Sequence, residues 1–295
     1  MEEIKIQKKW NWSATLAVVI MHVASVYAIA YGVMNGFSSD SWIFFGIFIV
    51  ATVVGVSIGY HRFVTHGSFE CIWPLKLLFL ICAGFAMQGS AISWASNHRT
   101  HHLYADREGD LHSPSKEGFW HAHIEWFMVK YTKPDQKTMC PDLLRDKFIV
   151  LQKYWVPLPG IAGFVIPFVF FGLEGMLLVG VLRLLFASHA IFAINSVCHK
   201  WGERPYATKD VSTNNIILGW LIPSGEPFHN NHHADPKCAY MGWHWYQPDM
   251  GKWILQLLSL VRIWNIKLVW NIRKPRLDRI DMLHNRRIND EASLS

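Results

Sequence analysis

The chain has 295 residues, of which 51% are hydrophobic, 14% aromatic and only 17% charged. Its mean hydropathy is +0.15. Soluble domains carry about 25% charged residues, and disordered chains combine low hydrophobicity with high net charge. The composition therefore excludes a disordered chain and favours a membrane protein.

The formal net charge of +6 does not indicate a groove for nucleic acid. Lysine and arginine cluster in short segments beside apolar runs, which is the pattern of the cytosolic flanks of membrane helices. We therefore expect both termini in the cytosol and no nucleic-acid partner. The flanking basic residues are Lys5, Lys8, Lys9, Arg273, Lys274, Arg276, Arg279, Arg286 and Arg287.

The cysteines support the same compartment. They are odd in number and show no C-x-x-C spacing, which is typical of reduced thiols in a chain whose extramembrane part faces the cytosol. The five are Cys71, Cys82, Cys140, Cys198 and Cys238.

Two apolar runs open the chain, at residues 14–33 and 42–60, with a short polar turn between them. Each is long enough to cross a hydrocarbon core of about 30 Å at about 1.5 Å per residue, so together they predict a helical hairpin. His61 and His66 follow directly. Because residues five apart diverge by about 140° on an α-helix, we expect His61 at the helix end and His66 on a distorted turn after it.

A second apolar pair, at residues 156–173 and 176–197, predicts a second hairpin that ends just before His199. The segment 72–93 is also apolar enough to span. However, one crossing would place the histidines before and after it on opposite faces of the membrane. We therefore expect this segment to lie in the interface or to re-enter.

The polar, aromatic-rich stretches 97–153 and 200–295 predict one helical cytosolic cap. The predicted fold is thus an all-α membrane protein. It has four transmembrane helices in two hairpins, an interfacial or re-entrant helix and a cap that carries the functional site. No linker divides the chain, so residues 1–295 are expected to form a single domain.

Nine of the 16 histidines fall in four tight groups at the cytosolic ends of the apolar runs or in the cap. Two groups have i, i+3, i+4 spacing, which places three rings on one stripe of a helix. Neutral imidazole is the commonest metal ligand in proteins, and nine such donors suit two metal ions. The nine are His61, His66, His98, His101, His102, His199, His229, His232 and His233.

The residue types in these groups do not by themselves identify the metal. An all-imidazole set suits zinc, copper, iron or nickel, and structural zinc usually takes cysteine. Soluble di-iron bundles use two Glu-x-x-His motifs, whereas this chain has one, from Glu226 to His229. The residue chemistry by itself leaves iron and zinc open.

The order H-x4-H, H-x2-H-H and H-x2-H-H, with Asn-x3-His after the fourth apolar run, resembles the integral-membrane fatty acid desaturases. The similarity is greatest to the Δ9 acyl-CoA (stearoyl-CoA-like) branch and extends over about residues 55–242. Further shared motifs are His61-Arg62, Trp94, Asp110-x-His112-Ser113, Gly118-Phe119, Arg204-Pro205-Tyr206 and Gly225-Glu226.

This resemblance implies a non-haem di-iron centre with O2 as co-substrate, in which the nine histidines hold two iron ions and Asn195 lies near one of them through water. It implies removal of two hydrogens from adjacent methylene groups of an acyl chain, which leaves a cis double bond. Gln88 and Trp94 match positions that line the bend of the acyl tunnel. An alkyl C–H has no acidity for a general base to exploit, so a metal centre suits this reaction.

Carboxylates commonly orient metal-bound histidines, and our hypothesis gives that role to Asp110 and Glu226. The surrounding loop, residues 106–110, is expected to be salt-bridged. Several histidines outside the four groups are expected to be bystanders. They are His22 and His189, isolated within the apolar runs, and His121 and His123, in the cap or on its surface.

The acyl carrier is open between three classes, with CoA expected first. Animal acyl-CoA desaturases carry Arg-Asp just before the second histidine group, where they contact the CoA headgroup, whereas this chain has Ser96 and Asn97. Arginine suits phosphate, so an acyl-carrier protein or a glycerolipid is an alternative carrier. Other cations could bind the phosphate in place of the arginine, although each is more simply explained as a solvated surface residue. They are Lys130, Lys133, Arg145 and Lys147.

Three other functions are alternatives. A membrane di-iron hydroxylase of alkanes or sterols would share the ligands but add oxygen to its product, and an acetylenase would convert a double bond to a triple bond. A metal transporter places its binding residues near the bilayer midplane, which does not match histidines at helix ends.

No cytochrome b5, flavin or iron–sulfur motif is recognisable in the chain. We therefore expect a separate electron donor, such as cytochrome b5 or ferredoxin, besides the acyl substrate and membrane lipid. The absence of a long N-terminal extension favours a bacterial inner membrane over the endoplasmic reticulum, with the active site on the cytosolic side.

Overall fold

The computed structural model describes residues 6–280, so Lys5, Arg286 and Arg287 lie outside it. Within that range the chain is mostly helical, as predicted, but it also has three short antiparallel strand pairs, two of which join the cap to segments outside it. The helices are α1 Trp12–Asn35, α2 Ser39–Val54, α3 Trp73–Gly84, α4 Ala91–Tyr104, α5 Pro114–Glu117, α6 Trp126–Met128, α7 Gln136–Met139, α8 Lys147–Trp155, α9 Pro157–Gly175, α10 Arg183–Ser196, α11 Ile216–Leu221, α12 His229–Ala234 and α13 Met250–Leu260.

Several segments depart from α-helical geometry. The strands are β1 Ile6–Trp10, β2 Glu70–Cys71, β3 Val129–Tyr131, β4 Arg262–Ile263, β5 Ile266–Lys267 and β6 Val269–Trp270, paired as β1–β3, β2–β6 and β4–β5. The π-helical stretches are Gly55–Thr65, His121–Glu125 and Met176–Leu182, and the 3₁₀ turns are Leu143–Arg145 and Leu277–Arg279.

Three helical segments are long and apolar enough to cross a membrane: Trp12–Asn35, Ser39–Thr65 and Pro157–Ser196. The third has 40 residues, which at about 1.5 Å per residue is about twice the thickness of the hydrocarbon core. It is interrupted at Gly172, whose φ of 60° and ψ of −142° are not helical. This break lies two residues before Glu174, where the turn between the third and fourth apolar runs is predicted to begin.

The turn at this break contacts the start of α2. The carboxylate of Glu174 accepts hydrogen bonds from the backbone N–H of Ser38 at 2.6 Å, from the Ser38 hydroxyl at 2.7 Å and from the Ser41 hydroxyl. An acidic group at a helix N-terminus satisfies amide groups that have no partner within the helix and complements the helix dipole. Glu174 therefore fastens the two hairpin turns together.

The apolar helix α3 is too short to cross the membrane alone. Its 12 residues extend about 18 Å at 1.5 Å per residue, and a turn follows before α4 begins at Ala91. It packs closely on the second spanning segment, because a Cβ added at Gly55 would lie 2.1 Å from the backbone nitrogen of Ala83. The segment 72–93 is therefore two helices joined by a turn.

A buried arginine joins the second spanning segment to the cap. Arg62 is fully buried, and its Nη2 lies 3.0 Å from the Asp249 carboxylate and donates to the carbonyl of Ser224 at 2.8 Å. Asp249 in turn accepts from the backbone N–H groups of Met241 and Gly242. A charge removed from water needs such partners, and these contacts position the cap over the helix that carries His61.

Candidate metal centre

His61 and His66 are brought together by a π-helix. The second spanning segment continues beyond Val54 as a π-helical stretch, Gly55–Thr65, in which backbone hydrogen bonds run from residue i to i+5. Accordingly, the N–H of His66 donates to the carbonyl of His61 at 3.2 Å, and the two ring centroids lie 5.0 Å apart. His61 thus lies inside the helix, not at its end as predicted, and the five-residue spacing becomes one helical turn.

The other seven predicted histidines come from α4, α12 and the turn after α10. The structure divides the nine into two groups, and the candidate ligand atoms within each group lie within 4.8 Å of one another. The first group is His61, His66, His98, His102 and His232, and the second is His101, His199, His229 and His233. The division does not follow the sequence, because α4 and α12 each contribute to both groups.

Several ring nitrogens in the first group lie close to one another. His232 Nε2 lies 3.0 Å from His61 Nε2 and 2.8 Å from His102 Nε2. The Nδ1 of His61 faces the Glu226 carboxylate at 2.6 Å, a contact in which Nδ1 donates and Nε2 is left to face the other rings. Nitrogens about 3 Å apart have the separation of neighbouring ligands on one metal ion with bonds of about 2.1 Å.

Buried nitrogens without a hydrogen-bond partner give a second indication. The Nε2 atoms of His66, His101 and His199 are buried and have no partner in the described chain. Leaving a buried polar atom unpaired costs about 1–3 kcal/mol, and all three belong to the two groups. The donor set therefore fits two metal ions.

Four carboxylates hold the outer nitrogens of these rings. In each pair the Nδ1–H donates to a carboxylate oxygen, which leaves Nε2 free for a metal. Asp110 and Glu226, to which our hypothesis gives this role, are two of the four carboxylates. Asp106 is a ring partner within the loop expected to be salt-bridged, and the sequence analysis did not identify Asp210. The pairs are His61–Glu226 at 2.6 Å, His101–Asp110 at 3.0 Å, His199–Asp106 at 2.7 Å and His233–Asp210 at 2.9 Å.

Burial and these carboxylates decide the protonation states. Burial lowers the pKa of His101, but attraction to Asp110, the hydrogen bond between them and the charges of Asp106 and Asp210 together outweigh burial, so the net pKa is raised. Burial raises the pKa of Asp110, yet His101 lowers it further, so the carboxyl stays ionised. The rings whose pKa is driven well below its ordinary value, by burial first and neighbouring rings second, are His66, His98, His102, His229 and His232. Neutral imidazole is the form that binds metal.

A largely apolar cavity leads from the two groups into the spanning helices. The empty space inside it, together with its open mouth, is about 630 Å³. His61, His98 and Asn195 line it at the metal groups, while Thr52 and Ala187 line it farther into the spanning helices. Asn195, predicted near one metal, therefore lies on the wall that a substrate would contact.

Trp94 and Gln88, the two predicted tunnel residues, have different positions. Trp94 lines the cavity and stacks on His98, with ring centroids 5.0 Å apart and 20° between the planes. Its Nε1 donates to the side-chain oxygen of Gln88 at 2.9 Å. Gln88 is not among the residues that line the described cavity, so it contacts the substrate path only through Trp94.

Comparisons with known proteins identify relatives of the whole chain. The family model for fatty acid desaturases matches residues 39–258. The chain is 34% identical over 290 residues to icosanoyl-CoA 5-desaturase of Limnanthes douglasii, covering 92% of this chain and 77% of the relative. It is 35% identical over 241 residues to hex-5-enoyl-[acyl-carrier protein] acetylenase of Moorena producens, covering 74% of each. It is 32% identical over 268 residues to sn-1 stearoyl-lipid 9-desaturase of Anabaena variabilis, covering 88% of this chain and 94% of the relative.

Proposed function

The chain belongs to the fatty acid desaturase family and is an oxidoreductase, and on that premise we propose that it inserts a cis double bond into a saturated acyl chain at a di-iron centre. The observation that carries the proposal is the convergence of nine histidine rings, in two groups, at one end of an apolar cavity. Such a cavity accommodates an acyl chain, and the rings offer the ligands for the metal.

We assign iron to both groups. Imidazole suits iron and zinc alike, but zinc has no redox chemistry, and desaturation is an oxidation. Iron held there would supply, with O2 and external electrons, the oxidising power to remove hydrogens from two adjacent methylene groups. The ligands are the nine histidines listed above, with Asn195 near one iron through a water molecule.

The residues of the chain orient and protect this chemistry. Asp106, Asp110, Asp210 and Glu226 fix the ring orientations by accepting the Nδ1–H protons. The apolar walls exclude water from an oxidising site, which prevents side reactions. Trp94, stacked on a ligand ring and anchored through its indole N–H, shapes the cavity where the acyl chain passes the metals.

We propose an acyl thioester, with CoA first, as the substrate, and Δ9 as the position. Two supports are the relatives named for acyl-CoA substrates and the stearoyl-lipid 9-desaturase. The same comparison leaves an acyl-carrier protein or a lipid as the alternative carrier. Animal acyl-CoA desaturases have a charged residue at the position of Asn97. In this chain the Asn97 side chain donates to the Tyr131 hydroxyl at 3.2 Å.

The membrane arrangement is also a proposal. Two hairpins would cross the bilayer, with the break at Gly172 as the turn of the second, and the cap and both termini would lie in the cytosol. The site would then receive electrons from a separate cytosolic donor such as cytochrome b5 or ferredoxin. A bacterial inner membrane is the location we favour.

The test uses the full chain in lipid nanodiscs, loaded with iron and supplied with O2 and a reduced donor. Stearoyl-CoA, stearoyl-acyl-carrier protein and a stearoyl-lipid are offered separately, and products are analysed by mass spectrometry. An alkene formed from stearoyl-CoA supports the proposal. An alkene formed only from one of the other two substrates would show that CoA is not the carrier. An alcohol in place of an alkene would contradict desaturation, and a triple bond made from a monoene would indicate an acetylenase.

His101→Ala tests the assignment of the metal ligands, with His244→Ala as its control. We expect it to lose activity and bound iron, because it removes a ligand of the second group. His244→Ala, at an exposed ring outside both groups, should keep both. Full iron content and turnover in His101→Ala would refute the assignment of that ligand.

A further inference from the structure

Three histidines outside the metal groups form a continuous hydrogen-bonded chain. His22 lies on α1, His189 on α10 and His123 in the π-helical stretch His121–Glu125. His22 Nε2 is 3.1 Å from His189 Nε2, and His189 Nδ1 is 3.0 Å from His123 Nε2. His22 and His189 are therefore not isolated, contrary to the prediction, and His123 is partly buried against them.

Both ends of this histidine chain rest on backbone carbonyls. At one end His22 Nδ1 lies 2.8 Å from the carbonyl oxygen of Val18. At the other end His123 Nδ1 lies 2.9 Å from the Ser196 hydroxyl, which donates to the carbonyl oxygen of Phe192 at 3.0 Å. A carbonyl oxygen only accepts hydrogen bonds. The group at each end, His22 Nδ1 or the Ser196 hydroxyl, must therefore donate a hydrogen to its carbonyl.

With every ring neutral, the histidine chain is one proton short. Its five contacts need five hydrogens. Three neutral imidazoles carry one N–H each and the serine carries one O–H, which makes four. One added proton completes all five contacts, because an imidazolium donates from both ring nitrogens.

A bound metal ion does not explain this arrangement. His189 offers a different ring nitrogen to each neighbour, so the three rings do not aim at one point. The metal-capable groups found in the described part of the chain contain none of these three histidines. A linear series of donors and acceptors is instead the geometry of a shared proton.

We propose that His22, His189 and His123 bind one proton between them, as a cationic link between α1, α10 and the cap. The surroundings suit a cation, because aromatic ring faces attract positive charge. Phe119 stacks on His123 with ring centroids 5.8 Å apart and 9° between the planes, and the Phe192 ring lies 6.0 Å from it. The site is independent of the proposed reaction.

Nearby charges and burial set the strength of this site. Burial lowers the pKa of His123, and the hydrogen bonds completed by the added proton oppose that effect. Arg183 is engaged with the Thr52 hydroxyl and the Phe85 carbonyl. The titratable or charged side chains on or next to the elements packed around the three rings are Tyr27, Tyr31, Asp40, Lys116, Glu117, His121, Glu125, Arg183 and Lys200.

Ser196→Ala is the decisive variant, because it shortens the histidine chain without changing a ring. Three contacts then remain, and three neutral imidazoles supply their three hydrogens, so no added proton is required. Ser25→Ala is the matched control. Its hydroxyl also donates to the carbonyl four residues earlier, that of Met21 at 2.7 Å, but it lies outside the histidine chain.

The measurement is nitrogen-15 histidine NMR of the full, metal-loaded chain in nanodiscs across the pH range in which imidazoles titrate. Signals are assigned with His22→Gln, His189→Gln and His123→Gln. We expect the three rings to take up one proton jointly, and Ser196→Ala to weaken that uptake about tenfold or more, because a hydrogen bond to a charged group is lost. Three independent titrations, three rings that stay neutral throughout, or an equal loss in Ser25→Ala would overturn the proposal.

Discussion

The carboxylate partners of the histidines show what a single residue contributes. Asp210 accepts from His233 at 2.9 Å and also binds the backbone N–H of Ser212. Burial raises its pKa, but the interactions with His233 and the hydrogen bonds from Ser212 together outweigh burial and lower the pKa, so the group stays ionised. A carboxylate of this kind fixes which nitrogen of the ring faces the metal.

Replacing Asp210 by Asn should weaken metal binding about 10–100-fold, because the amide is a poorer acceptor and can present its NH2 to the ring. The measurement is iron per chain after dialysis against graded chelator concentrations. Asp142→Asn is the control, since Asp142 pairs with Arg99 and not with a histidine. Equal iron retention in the two variants would contradict the role given to Asp210.

The cysteines are expected to be unreactive while the chain is folded. Burial raises the pKa of Cys140 to about 11 and that of Cys238 to about 12. Only the thiolate is nucleophilic, so the fraction that reacts stays small until the pH approaches these values. Iodoacetamide at mildly alkaline pH should label both thiols slowly in the folded chain and fast after denaturation, as read by mass spectrometry of the peptides. Equal rates in the two states would show that burial does not protect them.

At the scale of elements, the π-helical stretch Gly55–Thr65 decides how the first two ligands meet. On an α-helix the H-x4-H spacing would point the two rings in different directions. The i to i+5 hydrogen bonds of the π-helix instead bring both rings to the same side. Gly55 opens the stretch at the point where α3 packs against it most closely. The backbone of Ala83 fills the space that a side chain would need.

Gly55→Ala should destabilise the folded chain by about 1–3 kcal/mol or more, because overpacking against backbone forces the helices apart. Gly46→Ala is the matched control on the same spanning segment, where an added Cβ meets nothing within 4 Å. Thermal unfolding in detergent, followed by circular dichroism, compares the two. We expect a lower midpoint for Gly55→Ala only, and similar midpoints would argue against close packing at this position.

At the scale of the whole molecule, one cavity connects the interior of the apolar helices with the histidine groups. The cavity has Thr52 and Ala187 deep in the spanning helices and the histidines at its other end. Arg62, buried between Asp249 and Ser224, joins the helix with His61 to the cap. The hairpin turns, joined by Glu174, lie at the opposite ends of these helices.

This arrangement predicts opposite accessibility for two exposed positions. Ser39→Cys, at the first hairpin turn, should react with a membrane-impermeant maleimide in intact cells. Lys116→Cys, in the cap, should react only after the membrane is opened. Labelling is read by gel shift, with each variant made in a background whose native cysteines are blocked. Labelling of both positions from one side would refute the two-hairpin arrangement.

The sequence by itself determined the membrane character, through the length of its apolar runs, and the family, through the order and spacing of its histidine motifs, because both are local properties of the chain. It also singled out the nine histidines as candidate ligands. It also pointed to Asp110 and Glu226, which lie close in sequence to histidine groups. It did not reveal Asp210, whose partner His233 is 23 residues away, or the chain of His22, His189 and His123, whose members come from three distant segments. Only the tertiary structure divides the histidines into groups of five and four. The division depends on which faces of separate helices meet, and the local pattern of one helix carries no information about its neighbour.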